Sequence, residues 1–169
     1  MGNRVQPHSD SLKVLSTAAY FARVREQLSE TGQAYVRVTG VSMRPLLHHL
    51  RDGVIIVPPE HVSVGDIVLY ARESGRYALH RVIGKKGAVF TMAGDNQWHI
   101  EEDLPCSQIV GVVSALHRNG RVIPSKHFSV KIYAAVVTLL ARPRIFLRRV
   151  ISFLLRPFRR AKDASCSKE

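Results

Sequence analysis

Cysteine is nearly missing from this chain. Among 169 residues there are two, Cys106 and Cys166. Two thiols so placed form neither a disulfide framework nor a spaced metal-ligand set, and they fit a reducing compartment. Long apolar runs are missing as well. No stretch reaches the roughly 18–20 uninterrupted apolar residues that a spanning helix requires. Residues 1–10 are polar and lead to no small-residue cleavage site, so the start does not read as a signal peptide. Gly2 is present, but Gln6 stands where the myristoylation pattern needs Ser or Thr. There is no internal repeat and no low-complexity segment.

Acid is scarce at one end only. The formal net charge is +12, and most of it sits in the last quarter. Residues 128–169 carry ten Lys/Arg against two Asp/Glu, whereas residues 34–127 carry eleven against eight. A tail so unbalanced calls for an anionic surface, lipid headgroups or nucleic acid. Its apolar residues choose between them. Residues 132–141 are an apolar run, and then Arg142, Arg144, Arg148, Arg149, Arg156, Arg159 and Arg160 interleave with Ile145, Phe146, Leu147, Val150, Ile151, Phe153, Leu154 and Leu155. An arginine-rich helix with aromatic and aliphatic side chains is what an interfacial membrane segment needs. The expected partner is therefore an anionic membrane surface, met by residues 128–160, and nucleic acid is the less favoured one. The alternative is a helix packed on the body of the protein with its basic face in water. Pro143 and Pro157 are expected to break or restart helices.

What is present divides the chain in three. Residues 1–33 form an N-terminal helical segment. Leu12, Leu15, Ala19, Ala22 and Leu28 recur at helical spacing over residues 11–30, and Gly32 follows the last turn. Residues 34–127 change to short strand patterns at 35–39, 54–57, 67–71, 76–83, 88–92, 108–117 and 121–123. Turn signals separate them: Pro58-Pro59, Gly65-Asp66, Ser74-Gly75, the stretch Gly84-Lys85-Lys86-Gly87, and Asn119-Gly120. That pattern predicts a mainly β fold, a compact antiparallel domain. Residues 128–169 are the basic tail.

Three polar residues in separate segments of the β domain are of the types that carry chemistry. A serine hydroxyl is a poor nucleophile at neutral pH and needs an oriented base within hydrogen-bond reach. Ser42, in Gly40-Val41-Ser42-Met43-Arg44-Pro45, is a candidate nucleophile. His80 is a candidate base, and Asp95 can fix its tautomer and stabilise its cation. Read one by one, each is as well explained as a turn or packing residue. The other histidines, His8, His48, His49, His61, His99, His117 and His127, show no metal-ligand spacing, and no metal or cofactor is expected.

Taken together, the boxes from about Val38 to Ile123 resemble the S24/S26 peptidase superfamily, which includes type I signal peptidases and LexA-like self-cleaving repressors. Gly40-Val41-Ser42-Met43-Arg44-Pro45 is similar to the nucleophile box Gly-x-Ser-Met-x-Pro. Asp52-Gly53-Val54-Ile55-Ile56-Val57 is similar to the strand after it. Val64-Gly65-Asp66-Ile67-Val68, His80-Arg81-Val82-Ile83, Gly94-Asp95-Asn96 and Ile109-Val110-Gly111 follow in family order. The resemblance covers about half the chain. It implies a LexA/signal-peptidase-like β domain and a serine endopeptidase that cleaves signal or leader peptides from precursor proteins. Ser42, His80 and Asp95 would be catalytic, with Gly40, Met43 and Pro45 shaping the substrate site. Many relatives use a lysine base; His80 here is similar to the endoplasmic-reticulum and archaeal-type signal peptidases. The orienting acid is open between Asp95 and the run Glu101, Glu102 and Asp103. The chain departs from signal peptidases in showing no N-terminal transmembrane helix, and from LexA-like repressors in showing no DNA-binding domain. Peripheral membrane association or a cytoplasmic location is expected. An inactive relative that binds peptides or partners at the membrane is the alternative.

Overall fold

A computed structural model of the chain describes residues 17–154. The expectations that fall on residues 1–16 and 155–169 lie outside the described residues. Among these are Leu12, Leu15, Pro157, Arg156, Arg159, Arg160 and Cys166.

Among the described residues, eight antiparallel strands and two flanking helices make the fold. The first helix, α1 (Thr17–Thr31), ends where Gly32 takes φ +71° and its N–H closes on the Leu28 carbonyl at 3.1 Å. Its inward side differs from the expected stripe. Val24 and Leu28 are buried, with Tyr20 and Phe21 packed beside them, while Ala22 is exposed. The reason is tertiary: the Phe21 ring stacks on Tyr77 at 3.8 Å and sets the rotation of the helix.

The strands are β1 (Ala34–Arg37), β2 (Gly53–Val57), β3 (Ile67–Ala71), β4 (Tyr77–Lys86), β5 (Val89–Ala93), β6 (Ile100–Pro105), β7 (Ile109–Arg118) and β8 (Arg121–Pro124). They join as one sheet in the order β1-β2-β7-β3-β4-β5-β6, with β8 on β7. The last hairpin turns at Asn119-Gly120, both at positive φ, as that dipeptide predicts. The sheet bends at register shifts in the β2/β7, β3/β7, β4/β5 and β5/β6 pairs, where extra residues curl it. Curling produces two apolar interiors. Ile67 and Leu69 of β3 join the interior under α1, β1 and β2, while Val68 and Tyr70 join the one lined by β4, β5 and β6. Alternate side chains of one strand thus serve two cores, which is why β3 reads as an unbroken apolar run.

Two expectations fail here, and one strand was not foreseen. Gly84-Lys85-Lys86 is strand rather than turn; β4 runs through Lys86 and the reversal is at Gly87-Ala88. The strand β6 went unforeseen, because Ile100-Glu101-Glu102-Asp103-Leu104-Pro105 lacks apolar alternation. It is an edge strand, and acid and proline suit an edge. Pro143 does not break the C-terminal helix, α2 (Phe128–Leu154), which runs through it. Proline leaves the carbonyl of Leu139 without its helical donor. Leu139 stands on the exposed side of α2, so that carbonyl is on the side where water can serve it. No helix among the described residues is long and apolar enough to cross a membrane.

Candidate active site

The stretch around Ser42 is a loop closed at its base. Leaving β1, Val38 donates to the Asp52 carbonyl at 3.0 Å and accepts from the Leu50 N–H at 2.8 Å. Gly40 takes φ +90°, a conformation suited to glycine, and its N–H donates to His49 Nδ1 at 2.8 Å. Met43, Leu46 and Leu47 then plunge into the first interior. Asp52 is wholly buried and accepts from the His48 N–H and the Arg51 guanidinium. The hydrogen bond from Arg51 leads the causes that hold its carboxyl down, at about 2. Anchored on both sides, Ser42 stays partly accessible.

The Gly94-Asp95-Asn96 turn braces this loop from behind. The Asn96 N–H donates to the Ser42 carbonyl at 2.7 Å, and the Asn96 side chain reaches the Val41 carbonyl at 3.3 Å. A Cβ on Gly94 would sit 2.8 Å from the Ser42 carbonyl oxygen, so only glycine lets the two backbones meet this closely. The turn is itself tied to β4. Arg81 donates from Nε and Nη2 to the two oxygens of Asp95 at 2.8 and 2.7 Å, and from Nη1 to the Gly65 carbonyl at 2.7 Å. Both side chains are buried, and the Tyr133 ring of α2 lies 5.6 Å from the guanidinium.

His80 belongs to the other side of β4. Residues 78, 80 and 82 share a face, so His80 turns toward the second interior with Ala78 and Val82. Its direct partner on β3 is Val68, and Tyr70 is the diagonal neighbour on the same face. Tyr70 Oη lies 2.8 Å from His80 Nδ1, and Glu101 Oε1 of β6 lies 3.3 Å from the same nitrogen. Arg72 holds Glu101 with two bonds, Nε to Oε2 at 2.8 Å and Nη2 to Oε1 at 2.5 Å. The sheet order makes this meeting possible, because β6 pairs β5 and β5 pairs β4.

Nδ1 of His80 thus faces both a hydroxyl and a carboxylate. A neutral imidazole carrying its proton on Nδ1 can donate to either, and that tautomer leaves Nε2 as an acceptor. Burial pushes the His80 pKa down to about 4, against the opposing pull of the Glu101 charge. Burial also raises the Tyr70 hydroxyl well above its ordinary value, and Glu101 adds to that. For Glu101, burial alone would raise the carboxyl, but the bonds from Arg72 and Tyr70 together hold it below its ordinary value.

Ser42 and His80 line one cavity of about 270 Å³, together with Gly40, Met43, Phe21, Arg72, Asn96 and residues of β1 and β4. Pro45 is exposed and outside that lining; it follows a cis peptide bond. Asp95 reaches the cavity through its neighbour Asn96, its own carboxylate being held by Arg81. Tyr70 and Arg72 escaped the sequence reading because neither sits in a motif, and Glu101 was one of three adjacent acids. Lys85 points elsewhere, to the Val62 carbonyl at 3.1 Å. No group of three or more His, Cys, Asp and Glu that could hold a metal occurs among the described residues. Compared with protein-family models, curated proteins and solved structures, the chain gave no match.

Proposed function

We propose that this protein is a serine endopeptidase of the S24/S26 kind, with a LexA/signal-peptidase-like fold, acting on signal or leader peptides of precursor proteins. One observation carries the reading: Ser42 and His80 line the same cavity, and Nδ1 of His80 is engaged by Tyr70 and Glu101. Ser42 Oγ attacks the scissile carbonyl carbon while His80 Nε2 takes its proton. The tetrahedral oxyanion is held at the Ser42 backbone N–H. The intermediate collapses, the C–N bond breaks, and His80 returns the proton to the departing amine. Water then repeats the sequence on the acyl-enzyme, its proton passing through His80, and releases the carboxylate with Ser42 restored.

Glu101 is the acid that faces the imidazole, its Oε1 being 3.3 Å from Nδ1, so the orienting role is assigned to it, with Tyr70 at the same nitrogen. Asp95 takes a positioning role, holding the turn behind Ser42. An extended substrate has two strand edges beside the cavity. β1 pairs with β2 alone, and β4 begins pairing with β5 only at Arg81, so residues 77–80 keep one edge free. Val38 spends its backbone groups toward β2, which turns those of Arg37 and Thr39 to the cavity side. A peptide added there as a strand would place a backbone carbonyl at Ser42.

The test is cleavage of a signal or leader peptide by the full chain. Ser42→Ala and His80→Ala are each expected to reduce the rate by about 10⁴-fold or more. Full activity in either variant rules out this mechanism.

A further inference from the structure

The helix α2 is apolar on two opposite sides. Val130 and Ala141 are buried against the sheet, with Ala141 in a small cluster with Ile83 and Ala93. On the other side Phe128, Ile132, Val136, Leu139, Leu140 and Phe146 are all exposed, and Phe128, Leu139 and Phe146 are the most so at 76%, 77% and 69%. At 100° per residue these six fall within one-third of the helix circumference, and residues 128 and 146 are roughly 27 Å apart along the axis. An exposed stripe of this length on an otherwise well-buried fold marks a surface that meets something apolar.

Charge decides what that something is. From Phe128 to Leu154 the helix has five basic residues, Lys131, Arg142, Arg144, Arg148 and Arg149, and no acidic one. Lys131 and Arg142 are exposed beside the stripe, and Arg156, Arg159 and Arg160 continue the series in the sequence. A protein groove would supply apolar surface but has no general reason to be anionic. An anionic bilayer supplies both at once: acyl chains for the stripe and headgroups for the arginines. Arg142 interrupts α2 near its middle, so the helix suits the plane of the interface.

We infer that the outer side of α2, residues 128–146, docks the protein on membranes rich in anionic lipid, lying flat in the headgroup region. The inner side stays on the sheet, so docking requires no unfolding. This holds whether or not Ser42 is a nucleophile, and its test reads no cleavage.

The experiment is co-sedimentation of the full chain with vesicles of phosphatidylcholine alone and of phosphatidylcholine mixed with phosphatidylglycerol. Binding is expected to the mixed vesicles, weakened by salt. Leu139→Glu and Phe146→Glu each place an acid in an exposed position that the core does not use. Each is expected to lower partitioning by about tenfold or more, with unchanged circular dichroism. Wild-type protein left in the supernatant with the mixed vesicles overturns the inference, as does equal binding by both variants. So does a lipid-free dimer that Leu139→Glu dissolves, which would give the stripe to a second copy. Duplex DNA binding that survives Leu139→Glu, in a protein that ignores vesicles, would give the basic series to nucleic acid.

Discussion

Two arginine–carboxylate pairs lie close to His80, and they are built differently. Arg81 and Asp95 are 1% and 0% exposed, and the guanidinium meets the carboxylate through two parallel bonds. Arg72 and Glu101 are 34% and 17% exposed, and the carboxylate is shared between Arg72 and His80. The first pair holds a shape: it fixes the Gly94-Asp95-Asn96 turn under the Ser42 carbonyl. The second keeps a negative charge beside a titratable ring. A buried fork satisfies its own charge and has little to lend, whereas a partly open carboxylate can stabilise a proton arriving next door.

Removing one partner of the buried pair acts most strongly, and it acts on stability. Arg81→Ala strands a buried carboxylate and is expected to cost about 3–5 kcal/mol in denaturant unfolding. Replacing both partners by apolar residues, Arg81→Met with Asp95→Leu, is expected to restore much of that loss. A double variant as unstable as the single one would mean that the pair does more than neutralise itself.

Glu101→Gln is expected to act the other way, on rate rather than fold. Peptide cleavage should fall by about 10²-fold, with unfolding free energy changed by less than about 1 kcal/mol. Its pH profile sharpens the point. The Glu101 charge is the chief influence raising His80, so removing it lowers His80 below its present value of about 4. The acidic limb of kcat/KM therefore moves to lower pH while the plateau drops. A purely structural role for Glu101 would lower the plateau and leave the limb in place.

His80 also links stability to pH. Its pKa is about 4 in the fold against 6.5 for a free imidazole, so the unfolded chain binds the extra proton first. The contribution is present above pH 6.5 and is lost as pH falls through 4, on the order of 3 kcal/mol over that window. Denaturant unfolding at a series of pH values should show this slope, and His80→Asn should flatten it.

The smallest effect is expected at Gly94. Gly94→Ala pushes a methyl group against the Ser42 carbonyl oxygen and should cost about 1–2 kcal/mol. It should also slow cleavage more than an alanine at Gly87, a hairpin glycine with open space around it.

Local signals carried the strands and failed where tertiary structure chose. Apolar runs and the Asn119-Gly120 turn placed most of the sheet, because those residues settle their own backbone. β6 was illegible, since Glu101, Glu102 and Asp103 form a strand only by pairing with β5. That omission hid the acid beside His80. Ser42 and His80 stood in recognisable boxes, but which carboxylate faces the imidazole depends on which strands are neighbours, and spacing along the chain does not encode that. Pro143 misled for a related reason: a helix held by the sheet through Val130 and Ala141 outlasts the loss of one hydrogen bond.

Activation of Ser42 by His80 is the step on which the proposed function rests. Labelling of the intact protein with a fluorophosphonate, followed by mass spectrometry of the adduct, tests it without knowledge of the natural substrate. The expected result is a single adduct on Ser42, absent from His80→Ala and slowed in Glu101→Gln. Labelling of Ser42 in His80→Ala at the wild-type rate, or no adduct on Ser42 in the wild-type protein, would contradict it.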